Sequence, residues 1–254
     1  MDWSRAKTIL LISFLFVNIV LGYQLLAREM KQGEPVVNAE EIAKETTRLL
    51  QEKNITVPNG IPKDVPKLKE ITMKLNSSYN KDEIIKLKTP VHVSSFMNQI
   101  IPREHSMKMD IPRLEEYQFD SAVSKPNAYV MNQIFEGMPL FDVTIQLIEQ
   151  EGQITSYRQA YAEIDTTNEE KEATEQKVIS PYIAISNLAE NILPSDTIID
   201  DIKLGYHGLQ FDSPILILNP YWRVTTSAKK AYYIHAFTGA IESTQDVGKE
   251  QVKE

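Results

Sequence analysis

Residues 141–149, FDVTIQLIE, decide the fold class. Phe141, Val143, Ile145 and Leu147 fall on one face of an extended chain, and Asp142, Thr144 and Gln146 on the other. That is the period-two alternation of a half-buried strand. Glu151-Gly152 reads as a turn, and residues 154–164, ITSYRQAYAEI, return as a second strand, which predicts a β-hairpin. Beyond it, residues 166–177 (TTNEEKEATEQK) lack apolar periodicity and read as a surface loop.

Ser180 followed by Pro181 marks a helix start, with an N-cap hydroxyl and a proline where no amide donor is needed. Tyr182, Ile185, Leu188, Ala189 and Ile192 then form an apolar stripe that ends near Leu193-Pro194. Three strand patterns follow, over 197–206 (TIIDDIKLGY), 214–226 (PILILNPYWRVTT) and 229–239 (KKAYYIHAFTG). Thr238-Gly239 turns the last of them into AIES. A helix followed by antiparallel strands points to an α+β domain.

Working toward the N-terminus, residues 102–127 read as irregular. Residues 79–89 and 91–101 read as a strand and then a short helix, and 67–75 (KLKEITMKL) as one strand. Pro58, Pro62 and Pro66 forbid a continuous helix and suggest an extended connection. Asn38 and Glu41 form an N-x-x-E variant of the capping box for a helix over 39–53, stopped at Asn54.

Thr8–Ala27 is twenty residues without a charge. At about 1.5 Å per residue it reaches roughly 30 Å, the thickness of a bilayer's hydrocarbon core. A cleaved signal peptide has a shorter apolar region and a small-x-small site, which Leu25 and Ala27 fit badly. The expected division is a cytoplasmic tail 1–7, a transmembrane helix 8–27, a tether 28–37, α+β subdomains 38–135 and 136–246, and a frayed tail 247–254. Arg5 and Lys7 on one side and Arg28, Lys31 and Lys44 on the other leave the positive-inside count indecisive. A short N-tail ahead of a large domain is compatible with a cytoplasmic N-terminus and an outward domain. Leu11, Phe14, Asn18, Gly22 and Leu25 share one helical face, where an amide beside a small residue suits contact with another membrane helix. An incidental Asn and Gly is the plainer alternative.

The chain carries a net charge of −8, and its acidity lies beyond the N-terminal segment, which excludes a nucleic-acid-binding surface of the usual basic kind. Cysteine is absent, so there is no disulfide, thiolate metal site or cysteine nucleophile. No phosphate loop, G-x-S-x-G or H-E-x-x-H occurs. His92, His105, His207 and His235 have no ligand-like spacing; His207 reads as a half-exposed residue in a turn, and His235 shares a strand face with Tyr233 and Phe237. Asp142, Asp200 and Asp201 offer no catalytic carboxylate pair and read as solvated, with the adjacent aspartates on opposite faces. The sequence therefore predicts no catalytic, cofactor or metal residues.

Residues 1–25, MDWSRAKTILLISFLFVNIVLGYQL, resemble the opening of YycI (WalI) proteins, in which an M-D-W-x-x-x-K-T-I tail leads into the anchor. Residues 131–161, 200–208 (DDIKLGYHG) and 219–242 are also similar to that family; the last also resembles PepSY-type domains. The resemblance implies a domain outside the cytoplasmic membrane, built of two small α+β subdomains like those of YycH. It implies partnership with YycH and with the sensor histidine kinase WalK (YycG) of a cell-wall-controlling two-component system, and no catalytic residues or cofactor. Two other readings stay open. One is a PepSY-like module binding an envelope ligand or peptidase, with a pocket expected from Tyr206, Trp222 and Tyr233; the other is an anchored hydrolase.

Overall fold

The computed structural model describes residues 7, 11, 13–18, 20–22, 39–58, 60–62, 65–79, 82–100, 110–164, 174–208 and 214–246. The chain divides into two compact units, residues 1–44 and 45–254. In the first unit the described residues 7, 11, 13–18, 20–22 and 39–44 are helical. Leu11, Phe14 and Phe16 are 61%, 68% and 67% exposed. Among the described residues no helix is long and apolar enough to cross a membrane. The expected span is described only in part, and Leu25 of its expected face lies outside the described residues, as do the cap at Asn38, the tether, His105 and the C-terminal tail.

Helix α1 (Ala39–Glu52) passes from the first unit into the second. It ends where Asn54 takes a left-handed conformation, φ 54°. The second unit is α+β and mainly antiparallel. Its first half has strands β1 (Lys67–Leu68), β2 (Ile71–Leu75) and β3 (Ile85–His92), helix α2 (Val93–Ile100), then β4 (Tyr117–Phe119), β5 (Ala128–Phe135), β6 (Met138–Gln150), β7 (Gln153–Gln159) and β8 (Ala162–Ile164). Strand β9 (Gln176–Lys177) and helix α3 (Pro181–Asn191) lead to β10 (Ile199–His207), β11 (Ile215–Thr226), β12 (Lys230–His235) and β13 (Ile241–Asp246). The main strand order is β13-β12-β11-β10-β6-β5-β4. β10 and β6 meet in parallel at one register pair, Tyr206 with Leu140.

Each half has its own core. Phe96 of α2 packs with Leu87, Met131, Ile145, Leu147 and Ile154. Ile185, Leu188 and Ala189 of α3 pack with Trp222, Val224 and Ile234. Leu50 and Ile55 join this second core, so the α1 end is held against α3 and the C-terminal strands. Ser180 Oγ accepts from the Tyr182 amide, as the cap signal predicted. Ile192 departs from the expected stripe: the helix has ended, its φ is −132°, and its side chain is 42% exposed.

The structure corrects the strand readings where local pattern gives way to pairing. Residues 67–75 break at Lys69-Glu70, because β1 pairs with β9 while β2 pairs with β11 and β8. Residues 154–164 break at Ala160-Tyr161 into β7 and β8, which serve different ladders. Within 102–127, β4 is a real strand of three residues whose Tyr117 hydroxyl donates to the Ala160 carbonyl. β5 and β6 form a hairpin through Glu136-Gly137, which straddles the expected division at 135/136. Both this turn and Glu151-Gly152 place Glu then Gly at positive φ, as a two-residue primed turn requires.

One bulge matters more than the rest. β5 pairs Asn132 with Thr144 and then Gln133 with Leu140, so Phe141, Asp142 and Val143 have no partner on β5. A bulge re-aims the side chains it carries. Phe141 therefore leaves the predicted Ile145–Leu147 face and packs with Tyr221, Ala231 and Tyr233. Gly205 makes room for this: a Cβ there would stand 2.5 Å from the Pro139 carbonyl oxygen and 2.6 Å from Phe141 Cζ. Gly205→Ala is expected to lower unfolding free energy by about 1–3 kcal/mol through overpacking, read as a lower urea midpoint with an unchanged slope.

Candidate functional site

The register of the C-terminal strands sorts their side chains onto two faces. Ile202, Trp222, Val224, Tyr232 and Ile234 face α3 in the apolar core. Cross-strand pairing puts Lys203 opposite Arg223, Arg223 opposite Tyr233, and Tyr233 opposite Glu242 on the other face. His207 follows Lys203 on the same face of β10, opposite Asn219. A polar layer is thus buried between this sheet and groups from β4, β5 and the β6 bulge.

Its centre is an ion pair. Arg223 Nη2 lies 2.7 Å from Asp120 Oδ2, and each side chain is 1% exposed. Asn132 Nδ2 donates to the same Asp120 oxygen at 2.5 Å, and Lys203 Nζ stands 4.0 Å from Oδ1. Asp201 Oδ2 approaches Arg223 at 3.5 Å, while Asp200 faces Lys229 at 3.8 Å. The adjacent aspartates do take opposite faces, but Asp201 belongs to the buried network and is not simply solvated. Arg223 Nε finds no hydrogen-bond acceptor among the described residues; the guanidinium carbon lies 4.5 Å from the centre of the Phe141 ring.

Phe141 leads into the second part of the layer. Its ring is 5.8 Å from Tyr233, and Tyr233 stacks on His207 at 4.0 Å and 17°. His207 is not the half-exposed turn residue of the sequence reading. It is 5% exposed, with Nδ1 2.9 Å from Asp142 Oδ1 and Nε2 3.5 Å from Glu242 Oε2. The Tyr221 hydroxyl donates to Glu242, and the Gly208 amide donates to Asp142 Oδ2 at 2.9 Å. His235 keeps its expected neighbour Phe237 at 5.7 Å and meets Tyr221 at 5.0 Å.

These surroundings set protonation. Burial pushes the Asp120 carboxyl up, but the charges of Arg223 and Lys203 outweigh burial and hold it below the ordinary carboxylate value. Burial lifts the Tyr233 hydroxyl to about 12 and also raises that of Tyr221, which Glu242 raises further. Burial lowers His235. Chemically, the layer is a clamp. Both nitrogens of His207 face carboxylates rather than a hydroxyl nucleophile, and among the described residues no group of His, Cys, Asp and Glu is disposed to hold a metal.

The pocket expected from Tyr206, Trp222 and Tyr233 does not assemble. Trp222 is 1% exposed and its Nε1 donates to the Ile179 carbonyl, Tyr206 packs on Phe135, and Tyr233 lies in the clamp. Trp222 instead backs a cleft of about 510 Å³ with Pro62, Pro66, Met138 and Leu204. Sequence reasoning missed Asp120, Asn132 and Arg223 as a unit. The available signal was Arg223 itself, alternating with Tyr221 in a run where both neighbours are aromatic or β-branched.

Residues 84–237 match the family described as YycI protein. Among solved structures, an uncharacterized protein from Eubacterium rectale ATCC 33656 is similar at 14% identity and TM-score 0.33, over 46% of this chain and 42% of that one. The Bacillus megaterium YpeB C-terminal domain is similar at 14% identity and TM-score 0.38, over 81% of this chain and 96% of that one. The chain thus spans less than half the length of the first of these. No curated protein matches it.

Asp120→Ala is expected to cost about 3–5 kcal/mol, since it leaves Arg223 buried without its counter-charge, whereas Asp120→Leu with Arg223→Met is expected to recover most of that loss. Urea unfolding followed by tryptophan fluorescence reads both. The pH dependence has two windows. His235, whose folded value is depressed, contributes stability that is full above about 6.5 and falls as pH drops through that value. Asp120 contributes stability that is full above about 4 and is lost as pH falls through its lower folded value. Urea midpoints from pH 7 to 3 are expected to lose the first step in His235→Gln and the second in the Asp120→Leu, Arg223→Met double variant.

Proposed function

The chain belongs to the YycI family, and from that premise we propose that it is a non-enzymatic, membrane-anchored regulator of the WalK (YycG) sensor histidine kinase, working with a YycH-like partner. The observation that carries this reading is the family match over residues 84–237. In it, Thr8–Ala27 is the anchor, residues 1–7 are cytoplasmic, and the α+β unit, two PepSY- and YycH-like subdomains, lies outside the membrane.

Two further observations support it. Leu11, Phe14, Leu15, Phe16, Val17 and Leu21 are all more than half exposed. Apolar surface in water costs about 25 cal/mol per Å², so such a segment suits lipid or another helix. A Cβ on Gly22 would meet nothing within 4 Å, leaving room for close approach of a second helix beside Asn18. The Leu11, Phe14, Asn18, Gly22 and Leu25 face is then the contact with the kinase helices. Regulation requires that this contact favour one kinase state over another, because equal affinity for both shifts nothing.

A membrane-helix amide contact is worth about 0.6–2 kcal/mol. Replacing Asn18 and Gly22 by Leu is therefore expected to reduce kinase co-purification threefold or more and to change kinase output. A photoreactive residue at position 18 in intact membranes is expected to capture a histidine kinase, with one at exposed Ile217 as comparison. Capture of the kinase only from position 217, or unchanged output in the double variant, refutes the helix-contact mechanism.

A further inference from the structure

The β6 bulge that sends Phe141 into the clamp also brings Asp142 to the wall of a second cavity, of about 330 Å³. Pro214, Leu216, Leu75 and Ala160 supply its apolar lining. Asn76, Ser77, Tyr79 and Asp82 supply, with Asp142, the polar part; among the described residues no Lys, Arg or His lines it. Its volume is at the lower end of the range for small-molecule sites, which are mostly apolar with a few placed polar groups.

Asp142 is fixed before any ligand arrives. His207 Nδ1 and the Gly208 amide, each at 2.9 Å, orient the carboxylate from behind, yet its side chain keeps 22% exposure. Asp142 and Glu242 are two carboxyl groups that share one imidazole, and Asp82 also lines the cavity wall. A pre-oriented carboxylate in an apolar cavity favours a charge-assisted hydrogen bond from a cation. The walls decide which cation: a hard metal ion requires six or more oxygen ligands or retained waters, whereas apolar walls and a tyrosine ring suit an ammonium on a carbon skeleton.

We propose that this cavity binds a small primary ammonium carried on an apolar or aromatic body, with Asp142 as its counter-charge. The site goes beyond the regulator reading and stands or falls without it, since its test involves no kinase.

The test is calorimetric titration of the full chain, held in neutral phosphatidylcholine nanodiscs, with phenylalanine amide and with N-acetylphenylalanine amide. The two probes share a body and differ in the cation. Saturable binding of the first is expected, with the second at least tenfold weaker. Asp142→Asn is expected to weaken the first tenfold or more. Because that variant also alters the His207 clamp, Ser77→Trp serves as the second: Ser77 is exposed, lines the cavity and has no part in the clamp. Loss of binding in Ser77→Trp with an unchanged urea midpoint supports the site. Equal binding of the two probes, no saturable binding, or unaltered binding in Ser77→Trp overturns it.

Discussion

The Arg223–Asp120 pair is the constraint around which the larger unit is arranged. An arginine in a strand buried on both faces loses hydration worth several kcal/mol, and the loss is offset only by a carboxylate at close range. That carboxylate comes from the other half of the sheet, at the end of β4. Any docking of the halves that misplaces Asp120 leaves a bare buried cation, so the pair discriminates against wrong arrangements more than it strengthens the right one. Asn132, Lys203 and Asp201 then follow as groups that satisfy or balance the two charges.

The neighbouring geometry follows from the same requirement. The guanidinium face needs cover that does not compete for its charge, and the Phe141 ring gives it. Bringing that ring there takes a bulge in β6 and the absence of a side chain at Gly205. The bulge then turns Asp142 toward His207, and the imidazole reaches across to Glu242 on β13. With no cysteine to staple the strands, side chains perform the cross-linking, and one parallel register pair between β6 and β10 needs no longer ladder to hold it.

Local periodicity made part of this legible. The strands from 199 to 246, the Ser180-Pro181 helix start and the Glu151-Gly152 turn depend on neighbours in sequence, and the structure has them where pattern put them. The matching Glu136-Gly137 turn was as visible but was flanked by MNQIF, whose polar residues at 132 and 133 are buried partners of Asp120 and Ala162 rather than solvent-facing ones. The breaks in 67–75 and 154–164 are invisible locally because they arise where a strand changes partner. The clamp was illegible for a deeper reason. Asp120 and Arg223 are about a hundred positions apart in sequence; neither is unusual alone, and only the register of β10, β11 and β12 makes them neighbours. The family resemblance lay in both ends and the middle of the chain, and the match over 84–237 takes in Asp120, Arg223, Asp142 and His207 but not Glu242.

Helix α1 inserts Leu50, and the residues just after it insert Ile55, into the core around α3. The Lys53 ammonium fastens the same junction to the Ala189 carbonyl. Tension applied to the chain ahead of residue 45 is therefore delivered first to α3 and the β10–β12 ladder. Mechanically the C-terminal half is the bracket, and the other half is an arm joined to it by the β2–β11 and β6–β10 pairings and by the clamp.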